Sequence, residues 1–302
     1  MNDLDSRLAA HGVVGVEPLT GGASSVTYRG SRDGVPVVVK VAPAGHAPVG
    51  HRDVLRQARV LEALAGSEVP VPEVLVRDDG HPPFFVMTLI EGDSFEPLFD
   101  DSAGVDPDVP QRYREAVRIL AALHRMTVPD SEPVVDAAAE VERWSATLRT
   151  VDGELVPGWI DVAERLRSSV PAATGPAVVH GDFRLGNLIA RGTSLAAVID
   201  WEIWSLGDPR VDLGWFLINA DPETYARPSA YSDVVPPRDE LVDCYGTVPD
   251  VEWFMSLACF KSAATWSLIV KHNRRRPAPR AELEAMAPVL PRLLRRAQEL
   301  LC

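Results

Sequence analysis

Three side chains in the middle of this chain have the types and the spacing to move a phosphoryl group. Asp182 and Asn187 lie five residues apart in HGDFRLGN, His180 to Asn187, and Asp200 follows thirteen residues later in VIDWE, Val198 to Glu202. Asp200 ends an apolar run, Leu195 to Ile199, that reads as a strand. In such a layout one carboxylate accepts the proton of an attacking hydroxyl. The amide oxygen of Asn187 and the carboxylate of Asp200 hold Mg²⁺ against nucleotide phosphates. A lone loop Asp usually caps a turn, and a lone Asn is usually a turn residue, so the weight rests on the three together.

Further candidates surround them. Arg184, two residues after Asp182, is placed to face a transferred phosphate or to form a structural ion pair. Lys40 ends the β-branched run VPVVVK, from which a lysine reaches α- and β-phosphates; alone it would read as solvated surface. Gly21-Gly22-Ala23-Ser24-Ser25 separates two strand-like runs and offers backbone N–H groups to phosphates through Gly21, Gly22, Ser24 and Ser25. It matches neither GxGxxG nor a Walker pattern, and a glycine-rich turn needs no ligand. Asp212, in GDPRVDLGW, reads as a structural brace for the loop, with Asp208 and Pro209 as the helix start. His124 and His180 read as packing or hydrogen-bonding residues.

The elements that must carry these residues fall into two textures. Up to about residue 90 the pattern is strand-rich: Val13–Leu19, Ser25–Tyr28, Val35–Val41 and Pro83–Gly92, with a hairpin turn at Arg32-Asp33-Gly34. Within it, Asp53–Ala65 has a helical apolar face, Gly66 is its stop signal, and Val69–Leu75 is an extended connector. After Gly92 helices dominate: Gln111–Met126, Ala137–Leu148, Trp159–Ser168, Arg238–Tyr245, Val251–Lys271 and Arg280–Leu301, the last kinked or restarted at Pro291. Short strands at Ala177–Val179 and Leu188–Ala190 flank the candidate loop. This is an α+β chain with two lobes: residues 1–91 as the nucleotide-binding N-lobe, and 92–302 as the C-lobe with the loop, the metal ligands and the acceptor-binding helices.

The bulk numbers agree. A chain of 302 residues suits about two lobes at roughly 150 residues each, and 46% hydrophobic with 24% charged residues is ordinary for a globular protein. The net charge of −13 argues against a nucleic-acid partner. Three cysteines fit no disulfide framework or zinc spacing, which points to a reducing, cytoplasmic setting. The polar N-terminus is unlike a signal peptide. Val251–Lys271 is nearly long enough to cross a bilayer, but Glu252 and Lys261 interrupt it, so a buried helix is expected and no membrane partner. The oligomeric state is not legible.

The residues GGASSVTYRG, VVVK, VPVP, LAALH ending at His124, HGDFRLGN, IDWE and GDPRVDL resemble the aminoglycoside phosphotransferase-like family, which includes choline and homoserine kinase relatives. The likeness covers nearly the whole chain, and its last three motifs are specific. In motif style it is similar to the kinase-like domains fused to acyl-CoA dehydrogenases, a branch implicated in phosphorylating hydroxyacyl-CoA compounds. The resemblance implies a protein-kinase-like bilobal fold and an ATP- and Mg²⁺-dependent small-molecule kinase. It assigns Asp182 as base, Asn187 and Asp200 as metal ligands and Lys40 as the phosphate lysine. It makes Met87, Thr88, Leu89 and Ile90 the hinge that meets adenine. One position departs: where the family pairs its strand lysine with a helix Glu, this chain has Gln57, and Glu62 lies too far along to replace it.

Two acceptors stay open, a hydroxyacyl-CoA-like acid and an aminoglycoside-like amino alcohol. The basic run Lys271–Arg276 favours the first and the acidic composition the second; an acidic or a basic acceptor cleft separates them. A nucleotide-binding pseudokinase module is the reading from another class, on the strength of Gln57 alone. Trp253, Phe260 and Trp266 are candidates for the acceptor wall, or plain core.

Overall fold

The computed structural model describes residues 3–19, 26–43, 45, 49–100, 104–127 and 132–302. The glycine-rich candidates Gly21, Gly22, Ser24 and Ser25 lie outside these residues.

Period-two alternation in the third strand organises the first part of the fold. The strands are β1 (Val13–Pro18), β2 (Val26–Arg32), β3 (Val35–Val41), β4 (Val74–Asp78) and β5 (Phe84–Thr88). They form one antiparallel sheet in the order β1-β2-β3-β5-β4. Asp33 and Gly34 both take positive φ, +52° and +79°, as a two-residue hairpin turn between β2 and β3 requires. Along β3, Val37, Val39 and Val41 are buried on one face with Val13, Phe84 and Val86. That face is covered by a helix not foreseen in the sequence, α1 (Asp3–Ala10), which inserts Leu8 and clamps Asp78 through Arg7 and His11. The opposite face of β3 therefore presents Val38 and Lys40, beside Met87 and Phe85 of β5.

That second face meets α2 (Val54–Leu64). Asp53 caps it, its carboxylate accepting from the Arg56 N–H at 3.1 Å, worth about 1 kcal/mol. Gly66 follows the helix with φ +74°.

The chain leaves β5 and builds the helical part. Its elements are α3 (Val109–Leu123), β6 (Val134–Val135), α4 (Ala137–Leu148), α5 (Trp159–Ser168), β7 (Ala177–Val179), β8 (Leu188–Arg191), β9 (Ser194–Val198), β10 (Ser205–Gly207), α6 (Arg210–Asn219), α7 (Pro222–Tyr225), α8 (Arg238–Tyr245), α9 (Val251–Arg274), α10 (Ala281–Glu284) and α11 (Leu290–Glu299). β8 and β9 form a hairpin, and β10 joins β6 and β7 in a small second sheet. The helical stretch expected from Arg280 to Leu301 with a kink or restart at Pro291 is three pieces, α10, a 3₁₀ turn at Ala287–Val289, and α11, which restarts with Pro291 in its first turn. Proline lacks the N–H that an interior turn needs but is tolerated in a first turn. The connector Val69–Leu75 runs at its end into β4.

α9 is long and apolar enough to cross a membrane by length and composition, yet 78% of its apolar window is buried inside the protein. It packs against α4, α5, α6, α10 and α11. Trp253 and Phe260 are core residues on it, 6% and 0% exposed, and Trp266 stacks on Phe99. None of the three lines the large cleft described below.

The crossing of α6 and α9 is close because Gly214 has no side chain. A Cβ there would stand 2.4 Å from the Phe254 carbonyl oxygen and 2.9 Å from the Met255 nitrogen. Gly214→Ala should force the helices apart and cost about 1–3 kcal/mol, read as a lower urea midpoint with an unchanged slope. An unchanged midpoint would mean that the two backbones are not in contact.

Candidate functional site: two clefts joined at Asp182

The loop between β7 and β8 is fixed from below by one buried carboxylate. Asp212, fully buried in the first turn of α6, accepts from the Gly181 N–H at 2.8 Å and from the His180 N–H at 2.5 Å. His124 Nε2 stands 3.5 Å from the same carboxylate. Burial alone would raise the Asp212 carboxyl, but the charges and hydrogen bonds of His124, His180 and the Gly181 amide outweigh it and hold it below its ordinary range. Gly181 has φ +87°, and a Cβ would lie 2.8 Å from the Ile203 carbonyl oxygen, so this position admits only glycine. His180, also fully buried, accepts from the Asp182 N–H through Nδ1 at 3.1 Å and donates from Nε2 to the Ile199 carbonyl at 2.9 Å. It thereby ties the Asp182 segment to the strand end that carries Asp200.

Asp182 receives donors from three directions. Trp215 Nε1 donates to Oδ1 at 2.8 Å, Arg184 Nε to the same oxygen at 3.3 Å, and Asn187 Nδ2 to Oδ2 at 2.8 Å. Asn187 Nδ2 also donates to the Asp182 carbonyl. With the nitrogen of its amide spent, the oxygen of Asn187 is left as a ligand.

Asp200, two residues past the end of β9, takes the left-handed region, φ +66°, which Asp tolerates better than most residues. Its Oδ1 accepts from Lys40 Nζ at 3.1 Å, leaving Oδ2. One neutral and one charged hard oxygen on the rim of a shared cleft suit Mg²⁺, which takes few protein ligands and completes its shell with water and phosphate oxygens. No cluster of three or more His, Cys, Asp or Glu able to hold a metal occurs among the described residues, so the donor set is not that of a closed structural site.

Lys40 reaches Gln57 as well as Asp200, with Nζ donating to Gln57 Oε1 at 3.3 Å. Glu62 instead pairs with Arg77 on β4. A cleft of about 360 Å³ opens between the sheet and the β8–β9 hairpin, lined by Lys40, Asn187, Asp200 and Met87 to Ile90, with Val38, Ile189 and Ile199 as apolar walls. Thr88 and Leu89 have already spent their N–H groups on the Glu73 and Pro36 carbonyls. The Ile90 N–H has no acceptor among the described residues.

A second and larger cleft, about 580 Å³, lies on the other side of Asp182. Asp182, Trp215 and Lys261 line its inner part, Trp144, Ile203 and Leu268 its apolar walls, and His51, Arg52 and Arg143 its cationic edge. Burial and then the Arg52 and Arg143 guanidiniums push the His51 imidazole down, an independent sign that positive charge gathers there. Lys261 is 5% exposed; its ammonium donates to the Gly181 carbonyl and sits 4.0 Å from the Trp215 ring centre.

Arg184 does not line this second cleft. It bonds Asp182 and, through Nη1 at 3.4 Å, Glu96, whose Oε2 also accepts from the Gly186 N–H at 3.1 Å. The Asp182 and Glu96 charges outweigh the effect of burial and raise the Arg184 guanidinium further. Burial pushes the Glu96 carboxyl up to about 7 despite Arg184 and the Gly186 amide.

Asp182, Arg184, Asn187, Asp200, Lys40 and Met87–Ile90 thus lie around one junction between two clefts. Trp215, Glu96 and Lys261 join them there without having been singled out in the sequence. A lone lysine inside an apolar 24-residue helix was the available signal for Lys261; Glu96 sits in an acidic loop-like stretch that carries no pattern. The basic run is largely structural: Lys271 donates to the Thr150 carbonyl, Asn273 bonds Arg280, and Arg274 pairs with Glu284.

Residues 15–236 match the model of the phosphotransferase enzyme family, APH. The chain belongs to that family. This phosphotransferase is 26% identical over 260 residues to acyl-CoA dehydrogenase family member 10 of Mus musculus, covering 79% of this chain and 23% of that protein. It is 31% identical over 178 residues to viomycin phosphotransferase of Streptomyces vinaceus, covering 52% and 59%. The chain therefore spans about a quarter of the mouse relative. Among solved structures, spectinomycin phosphotransferase in complex with ADP and spectinomycin superposes with a TM-score of 0.66 at 13% identity, over 98% of this chain and 97% of that one. The likeness establishes the same kinase-like α+β fold, within the phosphotransferase enzyme family.

Glu96 gives the phosphotransferase a pH signature. Its carboxyl has an ordinary value of 4.5 and about 7 in the folded chain. Between these values the folded protein holds a proton that the unfolded chain has released, so this group's contribution to stability falls as pH rises through that window and levels off above it. Glu96→Gln should shrink the loss of unfolding free energy between about pH 5 and about pH 8 by on the order of 3 kcal/mol, measured by urea denaturation. An equal pH slope in both proteins would assign the titration elsewhere.

Proposed function

We propose that this phosphotransferase transfers the γ-phosphoryl group of ATP to a hydroxyl of an anionic small molecule, with Asp182 as the base. One observation carries the reading: Asp182 lines the larger cleft while bonded at 2.8 Å to Asn187, which lines the smaller cleft with Lys40 and Asp200. An acceptor in one cleft and a nucleotide in the other would meet at that carboxylate. The division into a nucleotide lobe, residues 1–91, and a catalytic and acceptor lobe, 92–302, follows from the same reading, as does a reducing cytoplasmic setting for three free cysteines.

In the smaller cleft, Lys40 meets the α- and β-phosphates. Ile90 offers its free N–H to the adenine edge, and Val38, Ile189 and Ile199 cover the base. ADP in the spectinomycin phosphotransferase complex supports a nucleotide there. Asn187 and Asp200 would hold Mg²⁺, which when bound neutralises charge on the phosphates. Asp182 accepts the proton of the acceptor hydroxyl as its oxygen bonds to the γ-phosphorus. The bond from that phosphorus to the β,γ-bridging oxygen breaks, and ADP leaves with the electron pair. Trp215 and Asn187 orient the carboxylate for this step, since positioning matters more than strong basicity in phosphoryl transfer. Gln57 accepts from Lys40, and Asp200 supplies the negative charge that Gln57 lacks, which favours an active enzyme over a nucleotide-binding module.

The larger cleft favours an acid over an amine. Lys261, Arg52 and Arg143 stand against Asp182 and Glu202 along its lining, and its walls are apolar. A hydroxyacyl-CoA-like compound suits a basic edge and an apolar interior. The alignment with the acyl-CoA dehydrogenase family member supports the same class.

Asp182→Asn should lower acceptor-dependent ADP release by at least about 100-fold and leave ADP affinity within about twofold, measured by a coupled ADP assay over a panel of hydroxyacyl-CoA and amino-alcohol acceptors and by calorimetry. Undiminished turnover in the variant would remove Asp182 from the chemistry. Turnover on amino alcohols alone would reverse the acceptor class.

A further inference from the structure

Lys261 makes no close ion pair at the inner end of the larger cleft: burial pushes its ammonium down from its ordinary value, and the Asp182, Glu140 and Asp212 charges that favour the charged form act from beyond contact. Among the described residues its ammonium has one hydrogen-bond acceptor, the Gly181 carbonyl, and no carboxylate within ion-pair distance. An ammonium has three N–H donors, so two remain. The Trp215 and Trp144 rings stand 4.0 and 5.6 Å from it and compensate part of the loss of water. Burying a charge without a partner is costly, and a neutral donor would hold the Gly181 carbonyl at lower cost. Pinning the loop alone therefore does not account for a lysine here. The cleft opens on this same residue.

The position relative to the base narrows what fits. Trp215 gives its ring face to Lys261 and its Nε1–H to Asp182 Oδ1 at 2.8 Å. One indole therefore sets the spacing between the ammonium and the carboxylate. A ligand whose hydroxyl reaches Asp182 presents to Lys261 an atom only a short carbon spacer away. That atom must be an acceptor oxygen, because the two free donors need one and a ligand ammonium would be repelled.

We infer that Lys261, framed by Trp144 and Trp215, is a seat for the acyl oxygen of a hydroxy acid or hydroxyacyl thioester, held so that the nearby hydroxyl meets Asp182. This specificity role rests on the function proposed above and adds the residue that reads the acceptor. Thr265 and Leu268, one and two turns further along α9, extend the wall from the seat toward the cationic edge.

The test is binding, which needs no turnover. The ADP-loaded protein is titrated with β-hydroxybutyrate, with β-hydroxybutyryl-CoA and with butanediol, following binding by calorimetry and, in parallel, by tryptophan fluorescence. Both acyl compounds should bind at least about tenfold tighter than the diol, the loss expected when a buried charged donor is left unpaired. A larger gain for the thioester than for the free acid would identify CoA as the source of the acyl group. Lys261→Met should erase the preference while ADP affinity stays within twofold, and Lys261→Arg should keep part of it. Equal binding of diol and acyl compounds by the wild-type protein would overturn the seat. So would no detectable acyl binding, or an equal weakening of all three ligands in Lys261→Met. Acyl preference without ADP release on the same compounds would leave the seat standing and refute the proposed transfer to them.

Discussion

A buried carboxylate that catches two successive backbone amides holds this molecule's chemistry in place. Asp212 fixes the His180 and Gly181 N–H groups, and every other feature of the junction is built outward from that anchor. With both amides turned toward α6, the Gly181 carbonyl faces Lys261, the His180 ring spans to the end of β9, and Asp182 is left at the crest with its side chain toward the two clefts. Leaving a buried polar partner unsatisfied costs more than making the bond gains. Loss of Asp212 would therefore strand two amides and a histidine together.

Around that anchor charge is distributed against the bulk composition. The chain carries a net −13, yet the larger cleft gathers basic side chains from three separate places: Arg52 before α2, Arg143 on α4, and Lys261 on α9. Net charge describes solvated surface and long-range behaviour. A cleft is governed by the few groups that line it, where low-dielectric walls strengthen each one. The acidic composition that would have suited a cationic acceptor is therefore a poor guide to the interior of the site.

The sequence disclosed what is local and periodic. β3, α4, α5, β7 and α8 begin and end where their patterns do, because alternation, caps and turn residues act within a few positions. Asp182, Asn187 and Asp200 were legible because their spacing along the chain is itself the requirement. α1 escaped notice because its eight residues, half of them polar, contribute a single buried leucine, and its role is set by Asp78, far along the chain. The places of Glu96, Trp215 and Lys261 in the site were not legible because each acts on the loop across 80 residues or more, or from a different helix. At the C-terminus Pro291 marked a restart, while the earlier break before Ala287 was missed because Pro288 sits in the first turn of a short 3₁₀ piece.

The passage from sheet to helices is tied down at two points. Asp93 and Ala190 exchange both backbone bonds, at 3.0 and 2.8 Å, and the Val198 N–H donates to the Pro70 carbonyl at 2.8 Å. Gly92 permits the first tie, since a Cβ there would stand 2.5 Å from the Ala190 carbonyl oxygen. The β8–β9 hairpin is thus fastened to the chain on both sides of the smaller cleft. Asn187 and Asp200 flank that hairpin, so the spacing of the two oxygen donors is set by a unit stitched to the chain on both sides rather than by a free loop.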